Sequence, residues 1–558
     1  MRYTGVLVAL ALVTMAGQER SELENVAALA GEPRHLSAAG VTRTERRLVT
    51  VENGTPFDPS TSSSSHRRLV IIAGLDGDER AARAALGAIA WFKTRAPRAL
   101  RTQWTVSALP SADPDGVSRS RPFEFPPQKG FFDHPGQPEA RYVWRWLTYQ
   151  APDLLLEIRG GDSLSRGNAP AGSLAAVVAA GHSELGTVPV VFATARAADG
   201  PELLRQTLRE ASGRPHSPLR TALSARASRE PLAIARVLAD RYPQNPLVSY
   251  IPSVAWANTL RLADLTNDDG LRRKVMQQTR PWLSREQPLF GERIALTTVA
   301  GTLIYADLAE RGEQAAAELA VQGAEAALRT GPNGFAQHGQ GWTDDMFMMA
   351  AILARTGRMP GRERDLDHLA SSLISYARRL QREDGIFVHF TDGGVPWGRG
   401  NGFAALGLME ALTSIPATHP SRAELLSIFR RHMSGLTRMQ APDGMWRQVV
   451  DEPGSYREES VTAMTVTAMA RGVRLGWLDE TYRPVIERAW RALAAHITED
   501  GGIVDVCTGT GSGPTLRFYL DRAAISGYDD RGGAMGLLAA MEMLTFRNQA
   551  RSIPATSR

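Results

Sequence analysis

The residues best suited to chemistry lie in the second half of the sequence, where acids, aromatics, arginine and glycine crowd into short stretches. Residues 341–349, GWTDDMFMM, set Asp344 and Asp345 in the first turn of a helix. Carboxylates placed there can serve as general acid or base, and they also stabilise a helix N-terminus through its dipole. Residues 385–390, GIFVHF, put His389 among aromatics. Residues 396–403, PWGRGNGF, combine Trp397, Arg399 and three glycines. Tryptophan offers a flat stacking face, arginine pairs a carboxylate bidentately, and glycines admit a close backbone approach. That set suits a sugar carrying a carboxylate. Residues 444–460, GMWRQVVDEPGSYREES, and 507–513, CTGTGSG, are similarly loop-like and polar.

The elements that must position these groups are helical. From about Pro246 onward, amphipathic stretches recur at 256–265, 272–283, 294–311, 314–328, 344–354 and 366–381. They continue at 402–414, 422–439, 461–475, 482–497 and 532–544. Loops punctuated by Gly, Pro and Trp separate them. No fixed sequence repeat accompanies the spacing, which disfavours a short-period solenoid. The number of helices fits an (α/α)6 barrel, with an open superhelix as the competing all-helical choice.

The first half has a different texture. LVIIAGLDGDE reads as a buried strand, 69–73, running into a Gly-rich loop, and 79–95 carries helical periodicity. Further apolar runs at 104–110, 153–161 and 189–195 read as strands. Alternation of strands and helices predicts an α/β domain with a largely parallel sheet. The expected organisation is a signal peptide over 1–17, a flexible segment over 18–66, an α/β domain over 67–245 and the helical domain over 246–548.

The 558 residues exceed what one core can organise. The net charge of +5 is small for this length, and lysine occurs only at Lys93, Lys129 and Lys274. No dense basic run with interleaved aromatics is present, so nucleic acid is not an expected partner. The apolar run 5–16 is short for a bilayer span and suits a signal-peptide core. It predicts a periplasmic or secreted bacterial protein, with no membrane contact after cleavage. A single cysteine, Cys507, excludes internal disulfides and thiolate metal clusters.

From Trp256 to Glu542 the order of motifs resembles the unsaturated glycuronyl and rhamnogalacturonyl hydrolases, glycoside hydrolase families 88 and 105. WTDDMFMMA, WGRGNGF, GMWRQVVDEPGSYREESVTAM, CTGTGSG and YDDRGGAMGLLAAMEM carry it, in that order. The resemblance implies an (α/α)6 barrel that hydrates the C4=C5 double bond left by a lyase on a terminal uronic acid. It makes Asp344 the general acid, with a proton affinity raised by burial beside Trp342 and Phe347. It makes Trp342, Asp345, His389, Trp397 and Arg399 the sugar subsite, with Arg399 on the substrate carboxylate. No cofactor is implied, and the partner is an oligosaccharide ending in an unsaturated uronic acid. Two departures stand out. The stretch 294–305 lacks the second aspartate usual in the family, with only Glu292 nearby, and Phe403 stands where a Trp often follows the RGxG turn.

Residues 68–240 resemble the zinc carboxypeptidase fold more loosely, through AGLDGDE, SADPDG with Arg119 and Arg121, and LLLEIRGG. Asp76 replaces a zinc histidine and Arg159 replaces the last ligand, leaving Glu79, so no metal is expected. Asp76, Glu79, Arg119 and Arg159 would then pair with one another, or bind a glycan or peptidoglycan stem. Two further readings stay open for the helical half. One is glycosidic hydrolysis by a carboxylate pair drawing on Asp451, Glu458 or Glu459. The other is a glycan-binding protein without catalysis.

Overall fold

The computed structural model describes residues 23–29, 35–58, 65–116, 118, 120, 122–127, 138–181 and 185–552. The chain divides into two compact units. One comprises Met1–Ala225 with Pro453–Tyr456, the other Arg226–Glu452 with Arg457–Arg558.

The first unit is built on a seven-stranded sheet of order β1-β2-β4-β3-β5-β7-β6. Its strands are β1 (His35–Val41), β2 (Arg47–Glu52), β3 (Arg67–Ala73), β4 (Trp104–Leu109), β5 (Leu154–Gly160), β6 (Ser165–Gly167) and β7 (Val190–Ala195). β4, β3, β5 and β7 are parallel neighbours, with Leu69 opposite both Val106 and Leu154. The near-continuous apolar runs follow from this, because a parallel strand is covered on both faces; all seven residues of β3 are buried. β1 and β2 lie inside 18–66, the stretch expected to be a flexible approach. The polar turn at Thr42–Arg46 separates two short strands there, and β2 seats Leu48 and Val51 in the interior. Most of the serine run, 59–64, and the expected signal segment 1–17 lie outside the described residues.

The second unit is a closed double ring of helices. The inner members are α2 (Tyr250–Thr266), α4 and α5 (Leu296–Gly301 and Leu303–Glu310, one broken helix), α7 (Thr343–Thr356), α9 (Gly398–Ser414), α11 (Glu459–Arg474) and α14 (Asp530–Ser552). Each packs on the next, and α14 returns to α2. The outer members are α1 (Pro231–Arg241), α3 (Asp269–Leu283), α6 (Gln314–Ala327), α8 (Glu363–Leu380), α10 (Arg422–Arg438) and α12 (Arg483–Ala495). Inner helices are apolar nearly all round, as α7 shows with Met346 to Ala354 buried in one run. Outer helices are amphipathic, as α8 shows with Leu366, Leu369, Ala370, Leu373, Ile374 and Ala377 inward. Six helix pairs make the (α/α)6 arrangement. α1 supplies the first outer member, so this unit begins earlier than the expected boundary at 246.

The two ends of the inner ring are chemically opposite. Near the helix C-termini each inner helix contributes one charge: Arg261, Asp307, Arg355, Glu410, Arg471 and Glu542. The signs alternate around the ring. Arg355 lies 2.8 Å from Asp307 and 3.1 Å from Glu410. Arg471 lies 3.3 Å from Glu410 and 2.9 Å from Glu542, which is 3.7 Å from Arg261. Despite burial, the surrounding arginines hold the Glu542 carboxyl down at about 2. At the other end the helix N-termini converge, with α13 (Leu516–Leu520) and the hairpin of β8 (Ile503–Cys507) and β9 (Ala524–Gly527) between α12 and α14. That hairpin was not expected in a stretch read as purely helical and loop-like.

Candidate active site

Asp344 opens α7 at the N-terminal end of the inner ring, its side chain one-fifth exposed. Its Oδ2 lies 3.2 Å from Nε2 of His389, and Nδ1 of His389 lies 2.8 Å from the hydroxyl of Tyr519 in α13. His389 is fully buried, boxed by Trp397 at 4.6 Å, Trp342 at 5.2 Å, Tyr519 at 5.7 Å and Phe390 at 6.1 Å between ring centroids. The Thr343 amide donates to the His389 carbonyl, pinning the imidazole segment to the start of α7. Gly400 makes the approach of α9 possible, because a Cβ there would overlap the Thr343 hydroxyl.

Trp397 and Arg399 stand behind this pair rather than in front of it. Trp397 is 1% exposed and its indole donates to Gln448, whose amide reaches the Tyr519 carbonyl at 3.3 Å and Cys507 Sγ at 3.1 Å. Arg399 was expected to grip a substrate carboxylate, but it is 3% exposed. Its Nε donates to Ser460 Oγ at 2.9 Å, its Nη1 to the Thr508 carbonyl at 3.3 Å and its Nη2 to the Cys507 carbonyl, and Glu458 lies 3.6 Å away. The chain leaving β8 folds over the guanidinium, so Arg399 braces that turn against α11. Trp342 remains partly exposed beside Asp344.

The adjacent aspartate faces the interior. A step of one residue turns a helix by about 100°, and Asp345 is 4% exposed. Its Oδ2 accepts from the amides of Gly341 (2.7 Å) and Gln340 (3.0 Å) and from the Tyr376 hydroxyl (2.8 Å). Burial pushes its carboxyl up to about 7, the Asp344 charge adds to this, and the three donors oppose it. Asp345 therefore anchors the loop entering α7, whereas a sugar contact was expected of it.

The other carboxylates considered as partners are committed elsewhere. Asp451 pairs with Arg382 at 2.6 Å. Glu458 caps α11 through the Val461 amide at 2.7 Å and accepts from the Cys507 amide at 2.8 Å. Glu459 is sealed inside with both oxygens unpartnered, and burial drives its carboxyl far upward. Glu292 is exposed on a loop. Phe403 is core: it stacks on Phe347 at 5.9 Å and meets Tyr250 edge-on at 5.5 Å.

A family model described as Glycosyl Hydrolase Family 88 matches residues 235–547, more than half of the chain. The chain belongs to glycosyl hydrolase family 88. The match begins within α1, in keeping with that helix being part of the barrel. An unsaturated rhamnogalacturonyl hydrolase of Bacillus subtilis is 30% identical over 179 residues, which is 31% of this chain and 50% of that protein. An unsaturated 3S-rhamnoglycuronyl hydrolase of Alteromonas is 28% identical over 175 residues, 29% of this chain and 42% of that one. The chain thus spans about half the length of the curated relatives it matches. A solved structure from Salmonella enterica, described as a possible family 105 member, superposes with a TM-score of 0.51 at 20% identity, covering 59% of this chain and 94% of its own. A family 105 glycoside hydrolase of C. acetobutylicum gives 0.51 at 21%, covering 56% and 99%. These two show the shared fold of the family 88 unit.

Sequence reasoning missed Tyr519 and Gln448 in the family 88 unit. Gln448 lay inside a quoted motif and gave a signal by its neighbours. Tyr519 lies 130 residues from His389 and gave none. In the α/β unit, Arg159 sits 3.8 Å from Asp76 and 2.7 Å from Glu157, which also accepts from the Ala175 amide. Asp76 and Arg159 therefore pair with one another. Glu79 turns instead to Arg83 at 3.5 Å. Arg119 and Arg121 lie outside the described residues.

Proposed function

We propose that the barrel removes terminal 4,5-unsaturated uronic acid from lyase-generated oligosaccharides by hydrating the ring double bond, with Asp344 as general acid. The observation that carries this reading is a single carboxylate, part exposed and bonded to an otherwise buried histidine, at the N-terminal end of an inner helix. The C4=C5 bond belongs to an enol ether conjugated to a carboxylate, so proton delivery to C4 is the demanding step. One positioned acid suffices for it. Water then adds at C5, and the hemiketal opens and releases the neighbouring sugar. The N-termini of inner helices carry partial positive charge toward this end, which favours an anionic ring. Trp342 supplies the stacking face beside the acid. Curated relatives named as unsaturated rhamnogalacturonyl and 3S-rhamnoglycuronyl hydrolases support the substrate class.

A conventional carboxylate pair is disfavoured because Asp451, Glu458 and Glu459 are each tied up or sealed. The α/β unit is read as a carboxypeptidase-like accessory without zinc, and the apolar run at 5–16 as the basis of export to the periplasm or beyond. The test is a pair of unsaturated uronides differing only in anomeric configuration, followed by ultraviolet absorbance and product release. Hydration acts at C4 and C5, so both anomers should lose absorbance and release the aglycone. Release from one anomer alone would mean direct attack at the anomeric carbon.

A further inference from the structure

Arg399 is buried, so the charge that meets a substrate carboxylate has to come from elsewhere on the mouth of the barrel. The inner helices follow the order α2, α4–α5, α7, α9, α11 and α14 before closing on α2, which sets α14 opposite α7. Arg531 stands in the first turn of α14, its side chain 25% exposed. Asp344 stands in the first turn of α7 at the same end. Neighbouring helix axes lie about 8–10 Å apart, so opposite axes in a ring of six are roughly 16–20 Å apart. An arginine and an aspartate reaching in from opposite sides leave room for about one sugar ring between them.

Asp529 holds the Arg531 guanidinium by one side. Its Oδ1 accepts from Nε at 3.2 Å and its Oδ2 from Nη2 at 2.6 Å. Oδ1 also accepts from the amides of Arg531 at 2.9 Å and Gly532 at 3.3 Å, and Asp529 is itself buried, so the arginine is fixed in advance of any ligand. A guanidinium carries five N–H donors, and this side-on pairing engages one each from Nε and Nη2. The end-on edge, built from Nη1 and the second N–H of Nη2, stays open. Nη1 has no hydrogen-bond partner among the described residues. Such an edge matches a carboxylate bidentately. We propose that Arg531 is the specificity-determining residue that binds the carboxylate of the unsaturated uronate through this open edge, across the mouth from Asp344. This rests on the reading of the barrel as an unsaturated uronidase.

The turn after β8 leaves space beside that edge. A Cβ on Gly509 would have Arg531 Nη1 as its nearest neighbour, at 3.5 Å, and one on Gly511 would meet nothing within 4 Å. Arg399 pins the same turn from beneath through the Cys507 and Thr508 carbonyls. Tyr250, at the start of α2, links the two sides of the mouth. Burial pushes its phenol up to about 12, Arg399 and Arg531 pull it down and Asp344 adds to the rise, so it lies within electrostatic range of both Arg531 and Asp344. Other arginines near this end are committed to protein partners: Arg382 to Asp384 and Asp451, Arg457 to Asp443, and Arg522 to the Gly509 carbonyl. The neighbouring Asp530 turns to the amides of Gln244 and Asn245.

The test removes the charge from each partner in turn, on the full chain. An unsaturated uronide and its methyl ester share ring, double bond and aglycone and differ in the anion. Arg531→Gln should lower kcat/KM on the acid roughly 10- to 100-fold and change it less than about threefold on the ester. Arg531→Lys keeps the charge and loses the fork, so it should fall between the two, and it carries the same comparison if the glutamine variant does not fold. Equal losses on acid and ester would mean that Arg531 only braces α14, and would overturn the proposal, as would an unchanged preference for the acid. Calorimetry with the same two ligands separates this site from the reading beneath it. If wild type turns over neither ligand but binds the acid more tightly, and Arg531→Gln binds both alike, the carboxylate site stands and the reading of the reaction falls. Wild type that binds neither ligand, or binds acid and ester alike, overturns the site.

Discussion

Asp345→Asn separates the roles of two neighbouring aspartates, and its effect can be worked from the structure. Burial lifts the Asp345 carboxyl from 3.8 to about 7. Below pH of about 4 both folded and unfolded chains keep the proton, and the group costs nothing. As pH rises toward 7 the unfolded chain alone ionises, and stability falls; above that the loss is complete. Three pH units at 1.36 kcal/mol each amount to roughly 4 kcal/mol. Asparagine removes this cost while keeping an oxygen where Oδ2 accepts from Gly341, Gln340 and Tyr376. It replaces Oδ1, which accepts from the Gln340 amide at 3.3 Å, with an NH2 group, and losing that contact while burying new donors costs about 1–3 kcal/mol. The variant should therefore be more stable than wild type by about 1–3 kcal/mol at pH 8, and less stable by about 1–3 kcal/mol near pH 4. Urea unfolding followed by tryptophan fluorescence at both values measures this. A variant less stable than wild type at pH 8, or a difference that ignores pH, would refute the account of Asp345 as a buried anchor.

Glu410→Gln leaves Arg355 and Arg471 facing one another within the charge ring, and should cost about 3–5 kcal/mol in urea unfolding with catalysis otherwise intact. A loss below ~1 kcal/mol would class the ring with ordinary surface pairs. Elemental analysis of protein purified without chelator should find zinc far below one per chain, because Arg159 projects between Glu157 and Asp76 and is paired with both; stoichiometric zinc would contradict the reading of the α/β unit.

Periodicity made the helical half legible, because outer helices carry a one-sided apolar stripe and inner ones an unbroken apolar run. The four parallel strands were legible for a related reason: β3, β4 and most of β5 are buried on both faces, and β7 is at least half-buried throughout. Other features depend on contacts between distant residues. Arg399 looked like a loop arginine in PWGRGNGF, yet the glycines around it open α9, where Gly398 admits the backbone of Arg447 and Gln448 and Gly400 admits Thr343 at the start of α7. Once helical, Arg399 points back to Ser460 and the β8 exit. The charge ring left no local trace, since Arg355 and Glu410 sit 55 residues apart on separate helices. The facing of Asp344 and Asp345 turned on one step of helix rotation that a pair of adjacent acids does not reveal. β1 and β2 escaped notice because short strands beside a serine run read as a polar approach.

The central claim, that one aspartate drives hydration of an unsaturated uronic acid, is tested most directly by ultraviolet absorbance of the conjugated double bond. Wild type and Asp344→Asn would be compared on the same panel of lyase products, with Asp345→Asn as the neighbouring control. The account predicts loss of absorbance with wild type and Asp345→Asn, and none with a folded Asp344→Asn. Loss of absorbance that persists in Asp344→Asn would contradict it.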